Sequence, residues 1–215
     1  MKLRDRRTLF GIFILLFFVL LIYNSMIGSQ WGFDNIVSIV LLVVFYYLDD
    51  YLDITHGEFI IGIVALTLHN MGTFDFYAFQ MGFIYFDNIV HMTSSLVMGM
   101  ALFRVFYTRF HIENREQLIA LFLMSVGLVS LLGISIETTE YAGHVFLGEG
   151  DGIFFTGVGD ANKLGDPLEQ YKDALEDLIW NTFGAVIGAT ITLLRLDFSS
   201  EGRKSKHPGQ LSPKK

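Results

Sequence analysis

Apolar residues come in long blocks along this chain, and polar residues collect between them. The first block covers residues 9–27, behind the basic start MKLRDRR. It is long enough to cross a bilayer, which takes roughly 20 apolar residues in a helix. The small-residue cleavage signature of a signal peptide does not follow it, so it reads as a retained first span. Further blocks cover 33–48, 59–72, 86–107, 117–136 and 174–194. The block at 59–72 is the shortest for a span. The pattern predicts an all-α polytopic membrane helix bundle of about six transmembrane helices.

The basic residues test that count. Lys2, Arg4, Arg6, Arg7, Arg104, Arg109, Arg115, Arg195, Arg203, Lys204, Lys206, Lys214 and Lys215 all fall on one side if the third block spans. Only Lys163 and Lys172 fall opposite. Without the third span, Arg109 and Arg115 would move to the other side. The positive-inside rule then predicts that both termini are cytoplasmic. The expected organisation is a membrane domain over 1–196 with an extracytoplasmic loop at about 141–172. A polar cytoplasmic tail at 197–215 is expected to be disordered. The predicted location is the cell membrane, plasma or inner, crossed several times.

Composition agrees. The chain is 215 residues long, 52% hydrophobic and 17% charged, with a net charge of −7 and a mean hydropathy of +0.48. That is too apolar for an ordinary soluble domain. The acidic balance argues against a nucleic-acid partner. No cysteine is present, which excludes disulfides and thiolate metal sites. The expected surroundings are the lipid bilayer, with a lipid headgroup or envelope molecule as candidate ligand. Oligomeric state is not legible.

Topology gathers ionisable groups at one depth, just below the outer surface. FDNIVH brings Asp87 and His91 to the start of the fourth span, at i and i+4 on one helix face. The fifth span ends in SIETTEYAGH, with Glu137 and Glu140 at i and i+3. The sixth starts with DALEDLIWN, bringing Asp173, Asp177 and Asn181. The third ends in LTLHNMG, bringing His69. Charged groups inside spans are costly and face a bundle interior or wet cavity. A single such residue is as readily a headgroup-level snorkeller; a set with coherent faces is less so.

His69, Asp87, His91, Glu137, Glu140 and Asp177 are therefore candidate nitrogen and oxygen ligands for a divalent metal, whether zinc, manganese or magnesium. Glu137, Glu140 and Asp177 are the candidate catalytic acids and bases. Asn181 and Asp173 are expected to support them. Gly184 and Gly188 form a Gly-x-x-x-Gly expected to pack the sixth span against the fourth or fifth, with dimerisation as the alternative. The long loop, with Phe154 and Phe155, is expected to fold back as a lid. Its DANKLGD stretch fails as an EF-hand, since Leu164 and Tyr171 occupy ligand positions. His144 is expected to be exposed. The inner turn YYLDDYLDITHGE, with Asp49, Asp50, Asp53, His56 and Glu58, reads as a solvated acidic turn.

The motifs resemble the VanZ-like family of membrane proteins. Asp87 and His91 match its Asp-x-x-x-His, Glu137 and Glu140 its acidic pair, and Asp177, Asn181, Gly184 and Gly188 its Asp-x-x-x-Asn-x-x-Gly-x-x-x-Gly. LHNMG at His69 and GDPLEQYKD at Gly165 are similar to motifs of a related, uncharacterised inner-membrane family, with Leu168 and Glu169 in place of Trp and Asp. The resemblance covers about residues 59–194. It implies a helix bundle and a link to glycopeptide (teicoplanin) tolerance and the cell envelope, but no defined activity. Three functions stay open at this level: a metal-dependent hydrolase or transferase on lipid-linked or envelope substrates; a non-enzymatic protein that binds or transports cations or envelope molecules; and a purely structural role.

Overall fold

The computed structural model describes residues 3–52, 54–110, 112–148, 150, 152–155 and 166–206. Its helices are α1 (Leu3–Ile27), α2 (Trp31–Tyr47), the single turn α3 (Asp49–Leu52), α4 (His56–Asn70), α5 (Phe86–Arg109), α6 (Arg115–Leu147) and α7 (Pro167–Lys206). Two 3₁₀ turns and a two-residue hairpin, β1 (Gln80–Met81) with β2 (Ile84–Tyr85), connect α4 to α5. Among the described residues, five helices are long and apolar enough to cross a membrane. The sixth, α2, has 17 residues, which at about 1.5 Å per residue is close to the shortest span. The chain is a multi-pass membrane protein.

Local chemistry sets the helix limits. Gly28 follows α1 at φ +68°, a left-handed conformation that glycine adopts without a Cβ clash. Thr55 and Glu58 form a reciprocal capping box at the start of α4. Asn114 caps α6 by accepting from the Gln117 backbone N–H at 2.9 Å. Two helices outrun their apolar blocks. α6 continues past 136 to Leu147, so Glu137 and Glu140 lie inside a helix and not at its end. α7 continues past 196, where a disordered tail is expected, to Lys206. Residues 207–215 lie outside the described set.

Contacts show how the helices run. Phe10 at the start of α1 stacks on Tyr46 at the end of α2, centroids 4.2 Å apart, and Asn24 near the end of α1 bonds Asn35 near the start of α2. Tyr46 also meets Phe59 at the start of α4. α4 and α5 are joined at Glu58 and Arg104, and α5 meets α6 through Phe103 and Phe122. Successive long helices therefore alternate in direction between two ends of the bundle. α5 and α7, both entering from the same end, pack in parallel. A Cβ on Gly184 would fall 2.2 Å from the Met92 carbonyl oxygen, and one on Gly188 2.1 Å from that of Leu96. The Gly-x-x-x-Gly thus seats α7 on α5, backbone against backbone. Outward side chains such as Leu15, 65% exposed, are apolar, as a lipid-facing surface requires.

The end that carries the termini corrects one expectation. The turn at 49–58 is not simply solvated. Glu58 is 0% exposed, and the Arg104 guanidinium holds it with Nε at 3.0 and 3.1 Å and Nη2 at 2.8 Å. Both His56 ring nitrogens are also sheltered from solvent. The turn is drawn in because Arg6 donates to the Ile54 carbonyl and Arg109 to that of Tyr51, with the Arg109 guanidinium 4.5 Å over the Tyr51 ring. Asp53 lies outside the described residues.

Candidate functional site

At the other end, α5, α6 and α7 bring their polar faces together. Asp87, His91 and Ser95 stand at successive i, i+4 positions on α5 and are all buried. From α7, Asp177 and Asn181 repeat that spacing and are 1% and 2% exposed. The parallel α5–α7 seam sets them in register. Asn88 takes the Tyr85 N–H on its Oδ1 at 3.0 Å, which turns its amide group toward Asp177 Oδ1 at 3.3 Å. Ser95 donates to Asn181 Oδ1 at 2.6 Å. The same oxygen faces His91 Nδ1 at 3.3 Å, and His91 Nε2 faces Asp87 Oδ1 at 3.3 Å.

This arrangement has a chemical consequence. Asn181 Oδ1 is an acceptor, so it assigns a proton to His91 Nδ1. In neutral imidazole that leaves a lone pair on Nε2, which points at a carboxylate. Two acceptors facing each other need a cation between them, either a proton or a metal ion. Ligand atoms of Asp87, His91 and Asp177 lie within 4.8 Å of one another. Glu137 on α6 adds a carboxylate 3.9 Å from His91 Nδ1; its side chain is 9% exposed and its buried Oε1 has no hydrogen-bond partner.

The remaining expected residues are distributed as follows. Glu140 lies almost one turn beyond Glu137 on α6, and Asp173 one turn before Asp177 on α7; both are half-buried. His69 does not join the Asp87, His91 and Asp177 trio. Asp34 Oδ1 and the Tyr77 hydroxyl each meet one of its ring nitrogens at 2.9 Å. His144 is half-buried rather than exposed, with Nε2 3.2 Å from the Gln170 side-chain amide. Phe154 packs on Phe33 at 4.7 Å, and its carbonyl lies where a Cβ on Gly143 would be, so this part of the loop folds back onto α2 and α6. Residues 160–165 of the rejected EF-hand stretch lie outside the described residues.

The structure also shows a second polar cluster at this end, built by α1, α2 and α4. Asn24 donates to Asn35 and to Thr73, Asn35 to Asn70, and Asn70 to Ser38 and the Leu66 carbonyl. Asp34, Asn35 and Ser38 form a polar stripe on an otherwise apolar α2, and that stripe was the available sequence signal.

The family described as Predicted membrane protein (DUF2238) matches residues 6–198. The chain belongs to this family. The match takes in α2, α4, α5 and α6 whole and most of α1 and α7, with the polar cluster of α5, α6 and α7 and the α1, α2 and α4 cluster beside it. No curated protein and no solved structure matches the chain.

Proposed function

We propose that the chain is a membrane-embedded divalent-cation protein whose centre is Asp87, His91 and Asp177. The carrying observation is that ligand atoms of these three buried residues lie within 4.8 Å of one another. Two carboxylates and one imidazole suit zinc, manganese or magnesium, in keeping with a site free of thiolates. Asn181 orients His91 by taking its Nδ1 proton, the supporting contact that histidine ligands usually have. A bound divalent metal would supply Lewis acidity and a water of lowered pKa. Glu137 lies beside the centre with an unpartnered oxygen, placed to accept a proton from such a water. Glu140 and Asp173 complete an acidic rim.

The activity this supports is hydrolysis of, or group transfer to, a lipid-linked or envelope substrate. The VanZ-like motifs fall on the same α5 and α7 positions, which favours an envelope substrate. The basic-residue asymmetry favours cytoplasmic termini, which sets the buried site toward the outer end of the bundle. A structural clamp is the competing reading. It draws on the bonds that Asn88, Ser95 and Asn181 already make within the cluster.

Elemental analysis of the detergent-purified chain after metal-replete expression separates the two. The cation reading expects about one zinc or manganese per chain, lost in Asp177→Asn and Asp87→Asn. Metal-free parent protein would leave the clamp.

A further inference from the structure

Asp34, His69 and Tyr77 form a chain of two hydrogen bonds at the same end of the bundle, on helices that do not contribute to the cation cluster. His69 Nε2 meets Asp34 Oδ1 at 2.9 Å and its Nδ1 meets the Tyr77 hydroxyl at 2.9 Å. A carboxylate only accepts, so Nε2 carries a proton. With the ring neutral, Nδ1 accepts and the phenol donates. The polarity runs from phenol to imidazole to carboxylate. A nucleophile activated by an oriented base has that order.

The surroundings hold the chain in place. Asp34 is 2% exposed and its Oδ1 also accepts the Ile153 N–H at 2.9 Å. Gly152, at φ +98°, lies so close that a Cβ there would come within 2.3 Å of Asp34 Oδ2. Trp31 packs edge-on to His69 at 5.6 Å, and Phe86 edge-on to Tyr77 at 5.7 Å. Tyr77 sits in the 3₁₀ turn Phe76–Ala78, just beyond the span that ends at Phe74. The His69 side chain is 23% exposed and Tyr77 is half-buried, so the pair borders solvent.

We propose that Tyr77 is a second reactive site, a phenol activated by His69 and positioned through Asp34, that attacks uncharged carboxylic esters at the membrane boundary. Asp34 beside the relay and Asp87 next to Phe86 disfavour an anionic electrophile. The phenolic proton passes to His69 Nδ1, the Tyr77 oxygen bonds the acyl carbon, and the ester C–O bond breaks. The leaving alcohol takes the proton from His69. Water then attacks the acyl-tyrosine by the same route and releases the acid. The step uses no metal and stands apart from the cation reading.

The test treats the full chain in detergent with an aryl sulfonyl fluoride, and separately with p-nitrophenyl acetate, and maps tyrosine modification by peptide mass. Tyr141 and Tyr171, 63% and 65% exposed, are internal controls. Tyr77 should react about 100-fold faster than these, the low end of what a general base contributes. It should also gain an acetyl group from the ester. His69→Gln should bring its rate near the controls, and chelator should leave it unchanged. Asp34→Asn keeps an acceptor for Ile153 while removing the charge, and carries the test if His69→Gln does not fold. A Tyr77 no faster than the controls overturns the proposal. So does a rate unmoved in folded variants, or one abolished by chelator. Elemental analysis reads the cation centre in the same samples, so either proposal can fail alone.

Discussion

Replacing Arg104 with Met removes the guanidinium from a carboxylate that has no access to water. Glu58 is 0% exposed and Arg104 7%, and three nitrogen–oxygen contacts of 2.8–3.1 Å join them. A pair at a solvated surface contributes about 0–1 kcal/mol. Orphaning one partner of a buried pair costs about 3–5 kcal/mol, because the remaining charge is neither solvated nor paired. At about 1.4 kcal/mol per decade, the unfolding equilibrium should move by roughly two to four decades. Glu58 also accepts the Thr55 N–H at 2.6 Å as part of the α4 cap. The double variant Glu58→Gln with Arg104→Met keeps a cap acceptor and deletes both charges, so it should recover at least half of the loss. Denaturant titration in mixed micelles, followed by helical circular dichroism, gives both numbers. An Arg104→Met loss below about 1 kcal/mol would place the pair among surface contacts and refute the buried-pair reasoning.

Other outcomes follow from the same geometry. Gly184→Leu or Gly188→Leu should destabilise by about 3 kcal/mol or more, since the new side chain meets backbone carbonyls of α5 and not a movable side chain; an unchanged midpoint in detergent melting would show that the seam is looser than described. Asn181→Leu should weaken manganese or zinc binding roughly 10–100-fold in competition titration, by releasing His91 Nδ1 and Ser95; unaltered affinity would remove Asn181 from a supporting role. Cysteines at Phe146, 83% exposed, and at Ser212 should label from opposite sides of intact cells; labelling of both from outside would reject cytoplasmic termini.

The fold was legible where the signal was long and apolar. Blocks of residues predicted each long helix, and 59–72, the weakest, survives because capping at Thr55 and the 3₁₀ turn after Asn70 extend it. Helix ends were less legible. Nothing in residues 137–147 marks them as a continuation of a span, and tertiary contacts between Gly143 and Phe154 support that extension. Within the site, the α5 and α7 stripes could be read by i, i+4 spacing, and parallel packing through Gly184 and Gly188 then placed Asp87 opposite Asp177. Asn88 escaped notice because it lies off that stripe, and it reaches Asp177 only through a hydrogen bond to Tyr85. The Glu58–Arg104 pair is 46 residues apart, beyond any local periodicity. His69 was legible as an inward residue, but its partner Asp34 was passed over, because its short polar stripe with Asn35 and Ser38 lies within a block that reads as an apolar span.

A divalent cation held by Asp87, His91 and Asp177 must stabilise the folded chain, and the melting midpoint reads this: the detergent-purified protein is stripped with chelator and then titrated with manganese and with zinc, beside Asp177→Asn. Binding at a hundred times the dissociation constant stabilises the folded state by about 2.7 kcal/mol. For a chain of this size that is roughly 5–11 °C. A saturable rise of that order is expected for the parent with at least one metal, and little or none for Asp177→Asn. A parent midpoint indifferent to both metals, or a variant that rises equally, would contradict it.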